Sequence, residues 1–568
     1  MTACVVKTAD SEDAQVAGGF REAALPARAA APQKAQFLRI PPFPGARIDG
    51  FAFAPPQRTT CSADELVAVV RRLRVGGTYW AAQPQLPPRY VLARSRDAVA
   101  ACLELWAGVP VVLWADTAPG SNGAAVAAVI GGDCDPWHML AGAEAIITEQ
   151  GDEVRAVAAI LGVAVYVQDR ESGRIDAQQG DASGVLADFV APDAIALNPF
   201  DGRPMNPVET AELCGFWRRL IDSNRDISGG VGFAFWKQEN VSPLLWNGST
   251  PFAFQRTAPA QHGAVAIWRS KTPRETVAEL EKRGTALIEV EDGFLRSNGL
   301  GADCIPPLSL TVDRLGAYFD PAQPSELEEL LQAGRFDAEM LARAREVRSL
   351  IISAGLGKYE RGRVRLERTG GDRRHILVPG QVEDDRSVQT GGAGMTNIEL
   401  LRRVREQSAD AYILYKPHPD VVAGHRNGSV AERACLQFAD QVIADVPISA
   451  LIEMVDEVHV NTSLTGFEAL MRDTPVATYG APFYAGWGLT RDLGAVPSRR
   501  TARRTLDELV AATLLIYPRY LDPVTGIPCP AEVVVERLSA DATEEPGVIV
   551  AMRRLQGRLM RGFRSLAR

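Results

Sequence analysis

No stretch of this chain approaches eighteen consecutive apolar residues, so none is long enough to cross a bilayer as a helix. Cysteine is sparse and scattered: eight residues with no CxxC pair, which argues against both a zinc ribbon and a disulfide framework. Positive charge is in deficit, with a formal net charge of −9, and a nucleic-acid binder would ordinarily be basic. The first twenty residues, MTACVVKTADSEDAQVAGGF, are acidic and carry no long apolar core, so they do not read as a signal peptide. These shortages place the chain in the cytoplasm, or at most on a membrane surface. What remains is the composition of a globular protein, 46% hydrophobic and 23% charged, and 568 residues allow several domains.

Short buried runs that stop at polar residues dominate the second half. LVPGQVEDD (377–385) ends one run and YILYKPHPD (412–420) another, and EVHVNTSLTG (457–466) behaves the same way. Groups just past the carboxyl ends of strands in a parallel sheet line the ligand crevice. These ends present Gln381, Glu383, Asp384 and Asp385, then Lys416, His418 and Pro419, then Thr462, Ser463, Gly466 and Glu468. Clustered carboxylates beside an ammonium and an imidazole suit a ligand site better than a core. Upstream, VGFAFW (231–236), AVAIW (264–268) and ALIEV (286–290) read as buried strands, the third running into Glu291-Asp292-Gly293. That tripeptide is a turn or a general acid/base aimed at a cleft. The acidic triplet 383–385 is a solvated loop or the source of a nucleophile. Two prolines around His418, with Lys416 nearby, would present cationic groups rigidly to a phosphate. Ser463 can cap a helix and face an anion at once. The expected fold is α/β, with two Rossmann-like lobes facing a cleft.

The chain also repeats itself. Residues 144–165 match 457–478 in hydrophobic pattern at an offset of 313, and NPFDGRPM (198–205) matches DPVTGIPC (522–529) at 324. The polar positions differ: Gln150 stands for Ser463, Glu153 for Gly466 and Arg155 for Glu468. No counterpart of the PHP or EDD segments is visible upstream of Glu144. The first copy therefore reads as a partial, degenerate module that kept its packing and lost its chemistry. The expected division is a mobile lead-in at 1–38, the degenerate module at 39–195, a first lobe at 196–373 and a second lobe at 374–540. A basic amphipathic helix at 541–568 would follow, with Met552, Leu555, Leu559, Phe563 and Leu566 on one face, suited to an anionic membrane surface.

Taken in order, EDGFLRS, PGQVEDD, YKPHPD and NTSLTGFEA resemble the capsular-polysaccharide β-Kdo transferases of the KpsC type. DGRP near 201 and PFYAGWG at 482–488 fit the same picture. The resemblance implies a GT-B-like fold and retaining transfer of Kdo from CMP-Kdo to a Kdo-terminated glycolipid of the phosphatidylglycerol type, at the inner face of the inner membrane. On it, Glu291 or Asp292 would be the base and Asp384 or Asp385 the nucleophile. Gln381, Lys416, His418, Pro419, Thr462, Ser463, Gly466 and Glu468 would hold the donor, and Arg296, Asn397, Tyr484 and Trp487 would line the acceptor side or cleft. Neither a metal nor another cofactor is expected, and the partners would be the glycolipid, the inner leaflet and other capsule-assembly proteins, with no nucleic acid. Transfer of another CMP-sugar such as sialic acid, or a non-catalytic scaffold in capsule assembly, are the alternatives.

Overall fold

The computed structural model describes residues 37–55, 61–115, 126–178, 180–191, 193–257, 263–296, 305–357, 366–422, 428 and 430–540. The lead-in up to residue 36 and the basic stretch 541–568 lie outside the described residues. Among those described, no helix is long and apolar enough to cross a membrane. The chain forms two compact units. One holds Ile227–Leu244 and the described residues from Ala253 onward, and the other holds the described residues up to Asp226 together with Leu245–Phe252.

The later unit contains two sheets. In the first, Phe254–Gln255, Ile227–Val231, Ala264–Ile267 and Leu287–Asp292 run parallel, followed by antiparallel Ser309–Asp313, Pro518–Leu521 and Pro528–Cys529. The second sheet is wholly parallel, in the order Gln441–Val442, Tyr412–Lys416, His375–Pro379, Glu457–Val460, Val476–Thr478, Arg491–Asp492. Strand order reverses at His375–Pro379, and a crevice opens past the carboxyl ends at such a point. Both lobes are α/β and Rossmann-like, and the chain crosses between them twice, since 518–529 returns to complete the first sheet. This is the GT-B-like architecture expected from the motifs.

One strand differs from its expected place. VGFAFW was read as a strand over 231–236, but the strand is Ile227–Val231. Gly232 follows with φ +86°, and a Cβ there would stand 2.3 Å from Thr272 Oγ1 and 2.7 Å from the Trp268 carbonyl oxygen. Only glycine fits so close to that backbone, and its left-handed conformation ends the strand. The next residues become a loop and a single 3-10 turn, Phe235–Lys237, at the strand's carboxyl end.

The earlier unit holds a six-stranded sheet in the order Ala128–Ile130, Val111–Trp114, Tyr90–Ala93, Ala143–Thr148, Ala164–Gln168, Ile175–Ala177. This is the order of the second lobe, strand for strand, differing in direction only at the last, antiparallel strand. Ile195–Leu197 and Pro204–Met205 then form a hairpin, with Gly202 N donating to Asn198 O as Gly526 N donates to Asp522 O, each at 2.9 Å. The helices Pro207–Asp222 and Ala531–Ser539 follow the two hairpins. The first copy thus repeats the whole strand order of the second lobe, one part of a module. Its early strands escaped the sequence comparison because buried parallel strands are interchangeable apolar runs. Among the described residues it has no counterpart of the parallel strands 227–292.

Candidate active site

The first wall of the cleft is the carboxyl end of Leu287–Asp292. Asp292 accepts from Lys237 Nζ at 2.9 Å and from Arg296 Nε at 3.0 Å. Lys237 in turn lies 3.4 Å from the centre of the Trp268 ring, a cation–π contact. Burial works to raise the Asp292 pKa, but the two cations and their hydrogen bonds override it and hold the carboxyl well below the usual carboxylate range. Glu291, next in the chain, goes the other way. Burial pushes it up to about 8, although the nearby Arg386 guanidinium opposes the shift. Adjacent carboxyls driven apart in this manner take different roles. Asp292 is a fixed anion, whereas Glu291 can exchange a proton near neutral pH.

The second wall is built from the ends of the parallel sheet. Gln381 and Thr462 clasp across the switch point, Gln381 Nε2 donating to Thr462 Oγ1 at 3.0 Å and Thr462 N donating to Gln381 Oε1 at 2.9 Å. Asn397 holds the same loop from behind: its Oδ1 accepts from Gln381 N and its Nδ2 donates to Gln381 O, both at 2.8 Å. Glu383 accepts from Asn397 N at 2.8 Å, so it anchors the loop and the helix Asn397–Gln407. Asp385 caps the helix Arg386–Gly391, accepting from Ser387 N at 3.1 Å and Ser387 Oγ at 3.0 Å. Lys416 Nζ donates to the carbonyls of Ala444 and Val446, at 3.0 and 2.6 Å, and so ties a neighbouring loop. His418 Nδ1 accepts from Asp420 N at 3.1 Å, which in the neutral ring leaves the proton on Nε2. Ser463 Oγ accepts from Thr465 N at 3.2 Å, at the start of the helix Thr465–Met471.

One cleft of about 670 Å³ brings together Glu291, Asp292, Arg296, Gln381, Asp385, Lys416, His418, Pro419, Thr462, Ser463 and Glu468. Five of the expected residues are not on its lining, and their geometry gives the reasons. Asp384 is exposed to solvent one residue before the cap. Asn397 is buried behind the Gln381 loop. A Cβ on Gly466 would fall 2.2 Å from Tyr484 Oη, so that glycine exists to let the tyrosine approach. Tyr484 donates to Ser463 O, and Trp487 Nε1 donates to Phe483 O at 2.8 Å; both rings are fully buried and serve as packing. From PFYAGWG only Pro482 and Phe483 reach the cleft.

Sequence reading missed Trp236, Lys237, Trp268 and Lys271, which line the first wall. Their signal was present: they stand at or just past the carboxyl ends of two runs already recognised as strands. Arg386 was missed because nothing in the sequence says that the residue after Asp385 reaches the other lobe, where its Nη1 lies 3.1 Å from Glu289 and 3.2 Å from Glu291. Asp420 also lines the cleft, and its buried Oδ1 has no hydrogen-bond partner among the described residues. Among those residues no group of three or more His, Cys, Asp or Glu is placed to hold a metal ion.

The family profile described as capsule polysaccharide biosynthesis protein matches residues 263–369 and 354–520, which include Glu291 and Asp385 alike. The capsule polysaccharide modification protein LipA of Neisseria meningitidis serogroup A is 37% identical over 351 residues, 60% of this chain and 49% of LipA. The lipopolysaccharide-processing protein LpsZ of Rhizobium meliloti is 44% identical over 262 residues, 45% of this chain and 59% of LpsZ. The chain thus spans about half the length of LipA. A solved structure of Thermosulfurimonas dismutans KpsC, beta Kdo 2,4 transferase, is 33% identical, covering 55% of this chain and 98% of its own, with a TM-score of 0.49. Another, named as the beta Kdo 2,7 transferase, is 32% identical over 55% of this chain and 99% of its own, with a TM-score of 0.45. With its motifs in family order and the profile spanning both walls of the cleft, the chain belongs to the capsule polysaccharide biosynthesis proteins of the KpsC type.

Proposed function

We propose that this chain is a retaining glycosyltransferase that moves Kdo from CMP-Kdo to a Kdo-terminated glycolipid in capsule assembly. One observation carries the reading. Glu291, a carboxyl whose pKa burial pushes up to about 8, and Asp385, oriented by Ser387, line one cleft from opposite lobes. The resemblance of the motif series supplies the sugar and its CMP carrier.

In this scheme His418 Nε2–H and the hydroxyls of Thr462 and Ser463 receive the CMP phosphate. Asp385 attacks the anomeric carbon; the carbon–oxygen bond to the phosphate breaks, and CMP leaves with the electron pair. Glu291 then takes the proton of the acceptor hydroxyl as that oxygen attacks the same carbon and displaces Asp385. Two inversions give net retention. A base that titrates near the working pH combines a usable ionised fraction with good proton affinity. The acceptor, a glycolipid of the phosphatidylglycerol type, would be met at the inner leaflet.

Purified protein incubated with CMP-Kdo and a synthetic Kdo-terminated glycolipid should yield a product one Kdo heavier, with the donor's anomeric configuration. Intact-protein mass spectrometry under single turnover should show a Kdo adduct, lost in Asp385→Ala. An inverted product with no adduct would refute the double displacement. Transfer from CMP-sialic acid alone would replace the sugar, and CMP binding without any transfer would leave a scaffold.

A further inference from the structure

Arg386 is the first residue of the helix that Asp385 caps, so it is tied to the second lobe. Its Nη1 nevertheless sits 3.1 Å from Glu289 Oε2 and 3.2 Å from Glu291 Oε1 on the first. The guanidinium also stacks 5.1 Å from the centre of the Phe319 ring, which lines the cleft. Glu289 and Glu291 are two residues apart on one strand, so their side chains leave the same face. Glu289 has a second cation, accepting from Arg269 Nε at 2.5 Å.

We propose that Arg386 is the positioning residue of the site: it links the helix capped by Asp385 to Glu291 and sets the charge that Glu291 carries before substrate arrives. This rests on the reading of Glu291 as the base. The charged groups facing Glu291 are Arg386 from the opposite lobe, Lys237 from the turn after Ile227–Val231, and Asp292 and Glu289 from its own strand. Lys237 is already matched to Asp292 at 2.9 Å, so Arg386 is the cation paired directly with Glu291. One guanidinium nitrogen reaches both carboxylates, and the guanidinium keeps its charge at any working pH.

Two measurements on Arg386→Gln test this. The first needs no turnover: infrared titration of the carboxyl stretch, with Glu291 assigned by the band lost in Glu291→Gln. An opposite charge this close lowers a carboxyl by about one to three pH units, so Arg386→Gln should move the Glu291 titration up by about that much. Arg386→Lys should restore most of the shift. The second is the pH profile of kcat/KM for Kdo transfer, whose rising limb should move upward in the glutamine variant and return in the lysine variant. A Glu291 titration that stays in place in folded Arg386→Gln overturns the proposal, whatever the donor proves to be. A uniform loss of rate with an unmoved limb would also overturn it, leaving Arg386 a packing residue. If wild type turns over no CMP-sugar while the infrared shift appears, the transferase reading fails and the electrostatic link stands.

Discussion

Asp292 and Glu291 are chain neighbours that the cleft treats as different chemical species. Removing the charge of Asp292 would strand Lys237, buried between that carboxylate and Trp268, and Arg296, itself fully buried. Breaking a buried pair from one side costs about 3–5 kcal/mol, so Asp292→Asn should lower the Tm markedly at neutral pH. Glu291→Gln should do the opposite to stability while abolishing transfer, by about 10²-fold or more for a lost general base. The sign follows from the folded pKa, raised to about 8 above an unfolded glutamate. Such a group favours the fold fully below the ordinary glutamate range, and that contribution is lost as pH rises towards about 8. The Tm advantage of Glu291→Gln over wild type should therefore grow between pH 5 and pH 9 in a calorimetric scan. A pH-independent difference would mean that Glu291 titrates normally.

At the scale of elements, the site depends on turns that admit no larger residue. Gly380 ends the strand His375–Pro379, and a Cβ there would meet Tyr415 Oη at 2.6 Å and His418 N at 3.3 Å. Tyr415 is buried, so the His-Pro turn must give way. Overpacking of this kind costs about 1–3 kcal/mol. Gly380→Ala should thus weaken CMP binding by about tenfold or more in titration calorimetry, with far-ultraviolet dichroism unchanged; wild-type affinity would show that the turn does not shape the donor crevice. The second-lobe strands were legible from sequence because each is an apolar run stopped by Pro, Gly or a polar cluster. The strand His375–Pro379 ends inside LVPGQVEDD, and the strand Tyr412–Lys416 begins where YILYKPHPD begins. The strand at 227–231 was misplaced because ISGGV is glycine-rich and looks weaker than the apolar loop FAFW that follows. Tyr484 and Trp487 were expected to line the acceptor side or cleft, and only the packing reveals that both rings point inward. Arg386 was illegible for another reason: its partners lie 95 and 97 residues away.

Across the whole molecule, one lobe design occurs twice, and the cleft described above belongs to the second copy. Val91 pairs with Val111 and Ala145 as Leu377 pairs with Leu414 and Val458, which aligns the two sheets residue by residue. On that register Arg94 stands where Gly380 stands, Leu113 where Lys416 stands, and Ala115 where His418 stands. Arg94 fills the switch point: its guanidinium lies 3.9 Å from the centre of the Trp114 ring, its Nη1 donates to Trp114 O at 3.0 Å, and its Nε donates to Asp152 Oδ2 at 2.8 Å. Thr148 Oγ1 closes the network on the same carboxylate oxygen at 2.6 Å. Where the other copy lines a cleft with an imidazole, this one has a satisfied ion pair and a methyl group. Arg155, in place of Glu468, donates to Gln150 O, so the turn matching Thr462-Ser463 is also bound internally. Titration of the full chain with CMP should accordingly reach a stoichiometry of one. His418→Ala should remove that binding with no residual second site, and Arg94→Ala should leave the stoichiometry at one while lowering the Tm, since Asp152 would lose a half-buried partner. A stoichiometry of two, or binding that survives His418→Ala and is lost with Arg94→Ala, would mean that the first copy still holds a nucleotide.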